Sequence, residues 1–283
     1  MMTDEFEIHR RLLFSVAYRI LGSASDAEDA VQDAWLKWSA VDRTQVGEAK
    51  PYMVRIVTNV AMDRLRSARS RREVYVGPWL PEPIPTGSED GGESLSMALL
   101  VVLETLSPLE RAVFVLKEAF GFTYAEIAAA VERSEDAVRQ VGHRARGHVH
   151  ARRPRFHAGQ ATRRQVTERF FAAATGGDIN TLMQLLAPDV TLWTDGGGKV
   201  RQATRPVTGA ARVAAWFATL GQQSYQGVEL ADMSIDLVEF NGGPGIVFRG
   251  AGRVIGTMTL DLDDQGRVAG IYNVANPDKL RAL

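Results

Sequence analysis

In the stretch that follows Ser134, Arg139, Gln140, His143 and Arg146 recur on one side of a helical repeat, with Arg144 at its flank. Val138, Val141, Ala145 and Val149 occupy the other side, and Gly142 beside them leaves room for a neighbouring helix. Guanidinium and carboxamide groups set this way suit the edges of base pairs in a major groove, arginine pairing with guanine and glutamine with adenine. An amphipathic helix packed on a neighbour would show the same repeat, so the surroundings must separate the two readings. From Ala137 to Thr167 there are eight arginines, four of the five histidines and no acid; Arg55 to Arg72 carries six arginines against the single acid Asp63. Two separated basic stretches in a chain of net charge −1 point to two contacts with a polyanion. The histidines at 143, 148, 150 and 157 come without any cysteine or an ordered carboxylate partner, so neither a metal nor a cofactor is expected there.

These side chains need elements to hold them. TYAEIAAAV and SEDAVRQVGHRAR predict a short helix from Tyr124 to Val131, a tight turn at Glu132 and Arg133, and a second helix capped by Ser134. Glu135 and Asp136 then suit the positive end of the helix dipole. Ser107-Pro108-Leu109-Glu110 combines a cap, a first-turn proline and a capping-box glutamate, and Thr123 with Glu126 repeats the device. Upstream, Ser25 with Glu28 predicts another helix start, with Ala27, Ala30, Val31, Ala34, Trp35 and Trp38 as its buried face. Its other face, Glu28, Asp29, Gln32 and Asp33, is acidic and fits a protein partner better than DNA. From Pro51 a further helix buries Val57, Val60, Ala61, Leu65 and Ala68 beneath Arg55, Asn59, Asp63, Arg64, Arg66, Arg69, Arg71 and Arg72.

The periodicity breaks over 73–93, where WLPEP at 79–83 and a run of prolines, glycines and acids predict an extended linker rather than a packed element. After about 163 the texture turns to mixed α and β: helices near 164–175, 178–187 and 209–220, and strands at 189–194, 233–240, 245–250, 253–262 and 267–274, the last two joined by the hairpin signal DDQG. The expected architecture is therefore multidomain, two all-α parts followed by an α+β domain: 1–72, a linker 73–93, a helix-turn-helix part 94–153, a basic linker 154–163 and an α+β part 164–283. The longest apolar run, Met97 to Leu103, is too short to span a membrane, and the acidic start MMTDEFE is unlike a signal peptide. With no cysteine for disulfides, a cytoplasmic protein without membrane contact is expected.

Two blocks carry a resemblance. FSVAYRILGSASDAEDAVQDAWLKW with YMVRIVTNVAMDRLRSARSRR, within 14–72, resembles region 2 of extracytoplasmic-function sigma factors; LSPLERAVFVLKEAFGFTYAEIAAAV with SEDAVRQVGHRAR, within 94–150, resembles their region 4. WLPEP at 79–83, DGGGK at 195–199 and NPDKL at 276–280 further resemble the subgroup with a C-terminal SnoaL-like extension, a curved sheet wrapped on helices around a cone-shaped cavity.

The resemblance implies binding to core RNA polymerase, at the β′ clamp helices through Glu28, Asp29, Gln32 and Asp33 and at the β flap, together with promoter DNA. Asn59, Asp63 and Arg64 would capture unstacked bases of the minus-ten strand; Arg139, Gln140, His143 and Arg144 would read the minus-thirty-five element, with Arg133, Ser134 and Arg146 on phosphate. The linker would thread the polymerase channel, its acids Glu82, Glu89 and Asp90 imitating nucleic acid. The C-terminal domain would pack in cis on the sigma regions or their linker as a built-in regulator, with Trp79, Leu80, Pro81, Glu82, Pro83 and Asn276, Pro277, Asp278, Lys279, Leu280 as candidate contacts. Asp195 before three glycines reads as a turn cap. A general base of isomerase type, paired with Tyr225 or Tyr272, stays open, as does a small ligand in a cavity lined by Phe170, Phe171, Trp193, Trp216, Phe217, Phe248 and Tyr272. No histidine follows His157, which excludes an Asp/His pair of cyclase type. The rival reading is a ligand-sensing helix-turn-helix regulator.

Overall fold

The computed structural model describes residues 5–86, 95–152, 159–220, 225–281 and 283. The chain divides into two compact units, the first of Met1–Val74, Gly87–Leu95 and Leu99–Arg153, the second of Tyr75–Thr86, Ser96–Ala98 and Pro154–Leu283.

The first unit is helical. Helices α1 (Glu5–Leu21), α2 (Ala24–Ser39) and α3 (Ala49–Arg72) bury Leu13, Val16 and Ile20, Ala27, Ala30, Ala34 and Trp38, and Val57, Ala61 and Leu65 against one another. The cap of α2 is Ser23, whose hydroxyl accepts from the Asp26 amide at 3.1 Å, so the helix starts on a cap two residues before the expected Ser25, directly after Gly22, whose φ is positive. Trp35, expected in the buried stripe, is 41% exposed: the small alanines of α2 bring the helices close, and the core takes Trp38 instead. After α4 (Met97–Leu103), helix α5 (Pro108–Phe114) starts on the Ser107/Glu110 capping box and runs into a π-helical turn at Val115–Ala119. Helix α6 (Tyr124–Val131) starts on the Thr123/Glu126 box and ends at Glu132 in the left-handed region, which turns the chain into α7 (Glu135–Arg152). Val138, Val141, Ala145 and Val149 are buried, and Gly142 lets the Tyr124 ring lie against the α7 backbone, where an added Cβ would sit 3.2 Å from it.

The second unit packs α8 (Gln160–Gly176), α9 (Ile179–Leu185) and α10 (Ala210–Leu220) on a sheet of β1 (Leu186–Asp195), β2 (Val207–Thr208), β3 (Ser234–Phe240), β4 (Gly243–Gly250), β5 (Arg253–Leu262) and β6 (Val268–Val274). The strand order is β2-β1-β6-β5-β4-β3, with β1 and β6 parallel and the other pairs antiparallel. Phe170, Phe171, Leu182, Val213 and Phe217 from the helices meet Leu192, Ile246, Met258, Leu260 and Ile271 from the sheet. Three expectations shift here. The basic linker shortens, because α8 begins at Gln160; the second helix ends at Leu185, because Leu186 and Ala187 enter β1 as buried strand residues; and the linker packs. Leu80, Pro81, Glu82, Pro83 and Ile84 are all buried, and Ile84 to Thr86 follow the edge of β3, with the Thr86 amide donating to Glu239 O at 2.8 Å. Proline-rich sequence indeed stays extended, but here it covers a sheet edge that would otherwise expose unpaired backbone groups. Among the described residues no helix is long and apolar enough to cross a membrane.

Candidate nucleic-acid interface and linker clasp

The second helix of the helix-turn-helix presents Arg139, Gln140, His143 and Arg144 to solvent, along with Arg133 and Ser134 at its start. Ser134 Oγ accepts from the Ala137 amide at 3.3 Å, so its hydroxyl also serves the cap. Arg139 pairs with Glu135 one turn back and lies over the Tyr124 ring at 5.5 Å; the Glu135 carboxylate holds its guanidinium above the ordinary value. Arg144 sits 4.0 Å from Glu110. Arg146 is bound within the unit, donating to the Tyr124 hydroxyl at 2.6 Å and lying 3.1 Å from Glu118.

On α3 the arrangement differs. Asn59 Nδ2 donates to the carbonyl of Ala130 in α6 at 3.1 Å, so this amide is spent inside the unit. Arg64 reaches Asp33 at 2.6 Å and Asp29 at 3.3 Å; burial works against its charge, but these two carboxylates hold its pKa above the ordinary value. The structure thus joins residues expected on DNA to residues expected on polymerase. Asp63 is exposed and pairs with Arg66. Glu28 pairs with Arg10 at 2.8 Å, and Glu28, Asp29 and Gln32 border a groove of about 250 Å³ shared with Phe6 and the exposed Trp35.

Sequence reasoning missed a charged network between α3 and α5. Arg111 is fully buried; it donates from Nε to Arg19 O at 2.9 Å and pairs with Glu104, which also pairs with Arg72. Burial lowers the Arg72 pKa, with Glu104 opposing. Arginine at an apolar helix position was the available signal.

In the second unit WLPEP, DGGGK and NPDKL converge on Asp195, which is fully buried. Its Oδ1 accepts from the Tyr75 hydroxyl at 2.6 Å and the Gly197 amide at 3.1 Å, and its Oδ2 from the Leu80 amide at 2.8 Å and Lys279 Nζ at 2.7 Å. Those four donors fill the acceptor capacity of a carboxylate. Lys279 also donates to Leu80 O and has the Trp79 ring 3.8 Å and the Tyr75 ring 5.3 Å from its ammonium. Desolvation first, then the Asp195 carboxylate, push the Tyr75 phenol well up. Asn276 donates to Tyr75 at 2.8 Å and caps the turn at Pro277–Lys279, while Lys199 meets Asp278 at 2.5 Å. The glycines of DGGGK are needed here: Gly197 has φ +60, and a Cβ there would land on the Asn276 amide. Leu280 and Pro81 are buried beside the clasp's residues in sequence. Asp195 is thus a turn cap, as expected, but also half of a buried ion pair that the glycine run did not announce. Glu82 is buried at 9% exposure, which does not fit an acid offered to solvent, and Glu89 and Asp90 lie outside the described residues.

A cavity of about 60 Å³ opens on the helical side of the sheet. Phe171, Phe217 and Phe248 line it with Tyr225, Met258 and Asn273. The other aromatics expected there are elsewhere: Phe170 is core, Trp216 packs edge-on against Phe217, and Trp193 stacks on Tyr272 at 5.1 Å on the opposite sheet face. Asp195 lies on that opposite face too, in register with Val274, and so meets neither Tyr225 nor the cavity.

Comparison with known proteins agrees with this organisation. The Sigma-70 region 2 model matches residues 6–71, the Sigma-70, region 4 model residues 96–149, and the SnoaL-like domain model residues 167–274. The chain is 37% identical over 295 residues to the ECF RNA polymerase sigma factor SigJ of Mycobacterium tuberculosis, covering 99% of this chain and 93% of SigJ. It is 32% identical over 190 residues to the probable ECF RNA polymerase sigma factor SigI of the same species, covering 64% of this chain and 66% of SigI. The crystal structure of the M. tuberculosis extracytoplasmic function sigma factor SigJ matches with a TM-score of 0.79 and 33% identity over 98% of each chain. Two helical sigma regions, a helix-turn-helix with a basic face and an appended SnoaL-like sheet place the chain in the family of extracytoplasmic function RNA polymerase sigma factors.

Proposed function

We propose that this sigma factor reads promoters through α3 and α7 while its SnoaL-like domain restrains the linker between regions 2 and 4. The acidic edge Glu28, Asp29, Gln32 and Asp33 docks on the β′ clamp helices of core polymerase, and region 4 meets the β flap. Asn59, Asp63 and Arg64 hold unstacked minus-ten bases; Arg139, Gln140, His143 and Arg144 read the minus-thirty-five element, and Arg133, Ser134 and Arg146 meet phosphate. The linker leaves its clasp to thread the polymerase. The clasp of Asp195 and Lys279 on Tyr75 and Leu80 is the observation that carries the regulatory part of this reading.

Release of the linker exposes Leu80 and Ile84, at about 1.5–3 kcal/mol each, and opens a buried ion pair, so polymerase contacts must offset a sizeable cost. Asp195 has no acceptor position left for a substrate proton, which favours a structural role over catalysis. Trp79→Ala removes the ring over Lys279 while leaving both charges in place, and loosens the clasp by roughly 1–2 kcal/mol, about five- to thirty-fold in the released fraction. Transcription by core polymerase with this variant is expected to rise, together with proteolytic cleavage between Tyr75 and Thr86. Faster cleavage with unchanged transcription would make the clasp a purely structural joint.

A further inference from the structure

Three side chains of region 2 that would serve different partners are joined to one another. Arg64 Nε and Nη2, on α3, both donate to Asp33 Oδ2 of α2, at 3.1 and 2.6 Å, and Nη1 donates to Asp29 Oδ2 at 3.3 Å. Asp29 and Asp33 are four residues apart on α2, about one helical turn, so both carboxylates reach the same guanidinium. Glu28, on the same acidic edge, pairs instead with Arg10 of α1. The Arg64 side chain is 31% exposed, against 62% for Asp29 and 44% for Asp33, so an external partner can reach all three groups without unfolding the bundle.

One cation set against two anions leaves a negative charge over. A nucleic-acid strand that approaches Arg64 meets a guanidinium already neutralised, beside a carboxylate that repels phosphate. A basic protein surface that approaches Asp29 and Asp33 meets the converse, carboxylates already holding a cation. Neither side engages an external partner at full strength while the internal pairs hold, and loss of one side frees the other. Two sites that share one set of ion pairs are thermodynamically linked, and the linkage is reciprocal. Exposed ion pairs are individually weak, so two of them couple the sites by about three- to tenfold. That is enough to favour an order of binding without forbidding the reverse order.

We propose that Asp29, Asp33 and Arg64 form an ion-pair exchange relay, in which basic side chains of core polymerase take the two carboxylates and thereby release Arg64 to the minus-ten strand. This inference rests on the reading that the acidic edge docks on polymerase and that Arg64 meets DNA. It adds that the two events promote one another through three named side chains. All three lie on α2 and α3, so the relay is separate from the Asn59 and Arg72 contacts and from the linker clasp. The exchange changes no covalent bond.

The test measures binding of the full chain to core polymerase by fluorescence anisotropy, without DNA. Arg64→Met keeps the aliphatic stem and removes the charge, and it is expected to bind core polymerase about three- to tenfold more tightly, because Asp29 and Asp33 no longer hold an internal cation. The gain should shrink as salt is raised from about 50 to about 500 mM, which a packing effect would not do. Should Arg64→Met fail to fold by circular dichroism, Arg64→Lys, which keeps the charge but loses the fork, is expected to show a smaller gain of the same sign. Asp29→Asn/Asp33→Asn is expected to weaken binding to core polymerase; if it does not, the docking reading fails and the relay with it. If it does, while both Arg64 variants bind core polymerase no better than the parent, the relay alone is overturned. From the other side, a random-sequence single-stranded DNA of about 12 nucleotides is expected to bind the free Asp29→Asn/Asp33→Asn chain about three- to tenfold more tightly than the parent. Adding Arg64→Met should abolish that gain. A gain of equal size without Arg64 would be the effect of net charge alone and would also overturn the proposal.

Discussion

Helices α3 and α7 carry the same kind of sequence, an apolar stripe backed by arginines, yet they are in opposite states. On α7 the proposed base-reading residues face solvent, and Arg139 pairs with Glu135 of its own helix and lies over the Tyr124 ring. On α3 two of the three proposed strand-capturing residues are engaged by other helices, Asn59 with the Ala130 carbonyl of α6 and Arg64 with Asp33 and Asp29 of α2, while Asp63 pairs with Arg66 of its own helix and Arg72, at the helix end, pairs with Glu104. Region 4 presents its basic face, and Asn59 and Arg72 tie region 2 to it, whereas the Arg64 pairs stay within region 2. A basic amphipathic helix therefore shows which surface could meet DNA, and the tertiary partners of its polar face decide whether that surface is free. If the two regions engage separate promoter elements, as proposed, the Asn59 and Arg72 contacts are the ones that have to break.

The largest effect is expected where the closed state rests on buried charge. Glu104→Ala leaves Arg111, fully buried, without its carboxylate and takes the partner of Arg72 as well. Removing one partner of such a pair costs roughly 3–5 kcal/mol, whereas replacing both by apolar groups of similar volume is close to neutral. Hydrogen exchange should show faster opening of α3 and α5 in Glu104→Ala and recovery in Glu104→Leu/Arg111→Met, with β5 and β6 unchanged. Equal protection of α3 in all three proteins would mean that the network does not hold region 2 closed.

Legibility followed range. The capping boxes at Ser107 and Thr123 and the α7 stripe are written within a few residues, and the structure has them where the spacing puts them. Five of the six strands of the second unit were legible from alternation and the turn at 263–266, but the two-residue β2 was not, and β1 begins three residues before its expected start. What failed depended on distant partners. Trp35 fits the period of α2, but the space inside the bundle was already filled by Trp38. WLPEP reads as unpacked because proline cannot join a ladder, and its burial is decided by Asp195 and Lys279, more than a hundred residues away in sequence. Arg111 and Glu104 look like surface residues until α1 and α3 close over them. At the candidate site the residue types were readable, and their engagement was not: no local pattern says that Arg64 will choose Asp33.

The exposed side of the comparison gives a smaller and more selective effect. Arg139 spends no burial and makes one intrahelical pair, so Arg139→Ala should leave stability within about 0.5 kcal/mol of the parent. Its loss should appear in transcription as about 1–3 kcal/mol confined to particular minus-thirty-five sequences, as a base contact requires. A uniform loss across sequences, with a shallower salt dependence, would instead class Arg139 with the phosphate contacts.

The smallest effect is the one that distinguishes the two roles of α3. Asn59→Ala deletes a single hydrogen bond to the Ala130 carbonyl, worth about 1 kcal/mol, or roughly a fivefold rise in opening between α3 and α6. Hydrogen exchange in α6 should register that rise. If Asn59 serves only to keep the helices together, transcription should increase with it. If the same amide captures a base once the helices part, transcription should fall although opening is easier, and the fall should vanish on a template whose minus-ten segment is already unpaired but abasic at the captured position. The sign of the change in transcription, set against the sign of the change in exchange, separates a side chain that merely locks α3 from one that trades a protein carbonyl for a nucleotide.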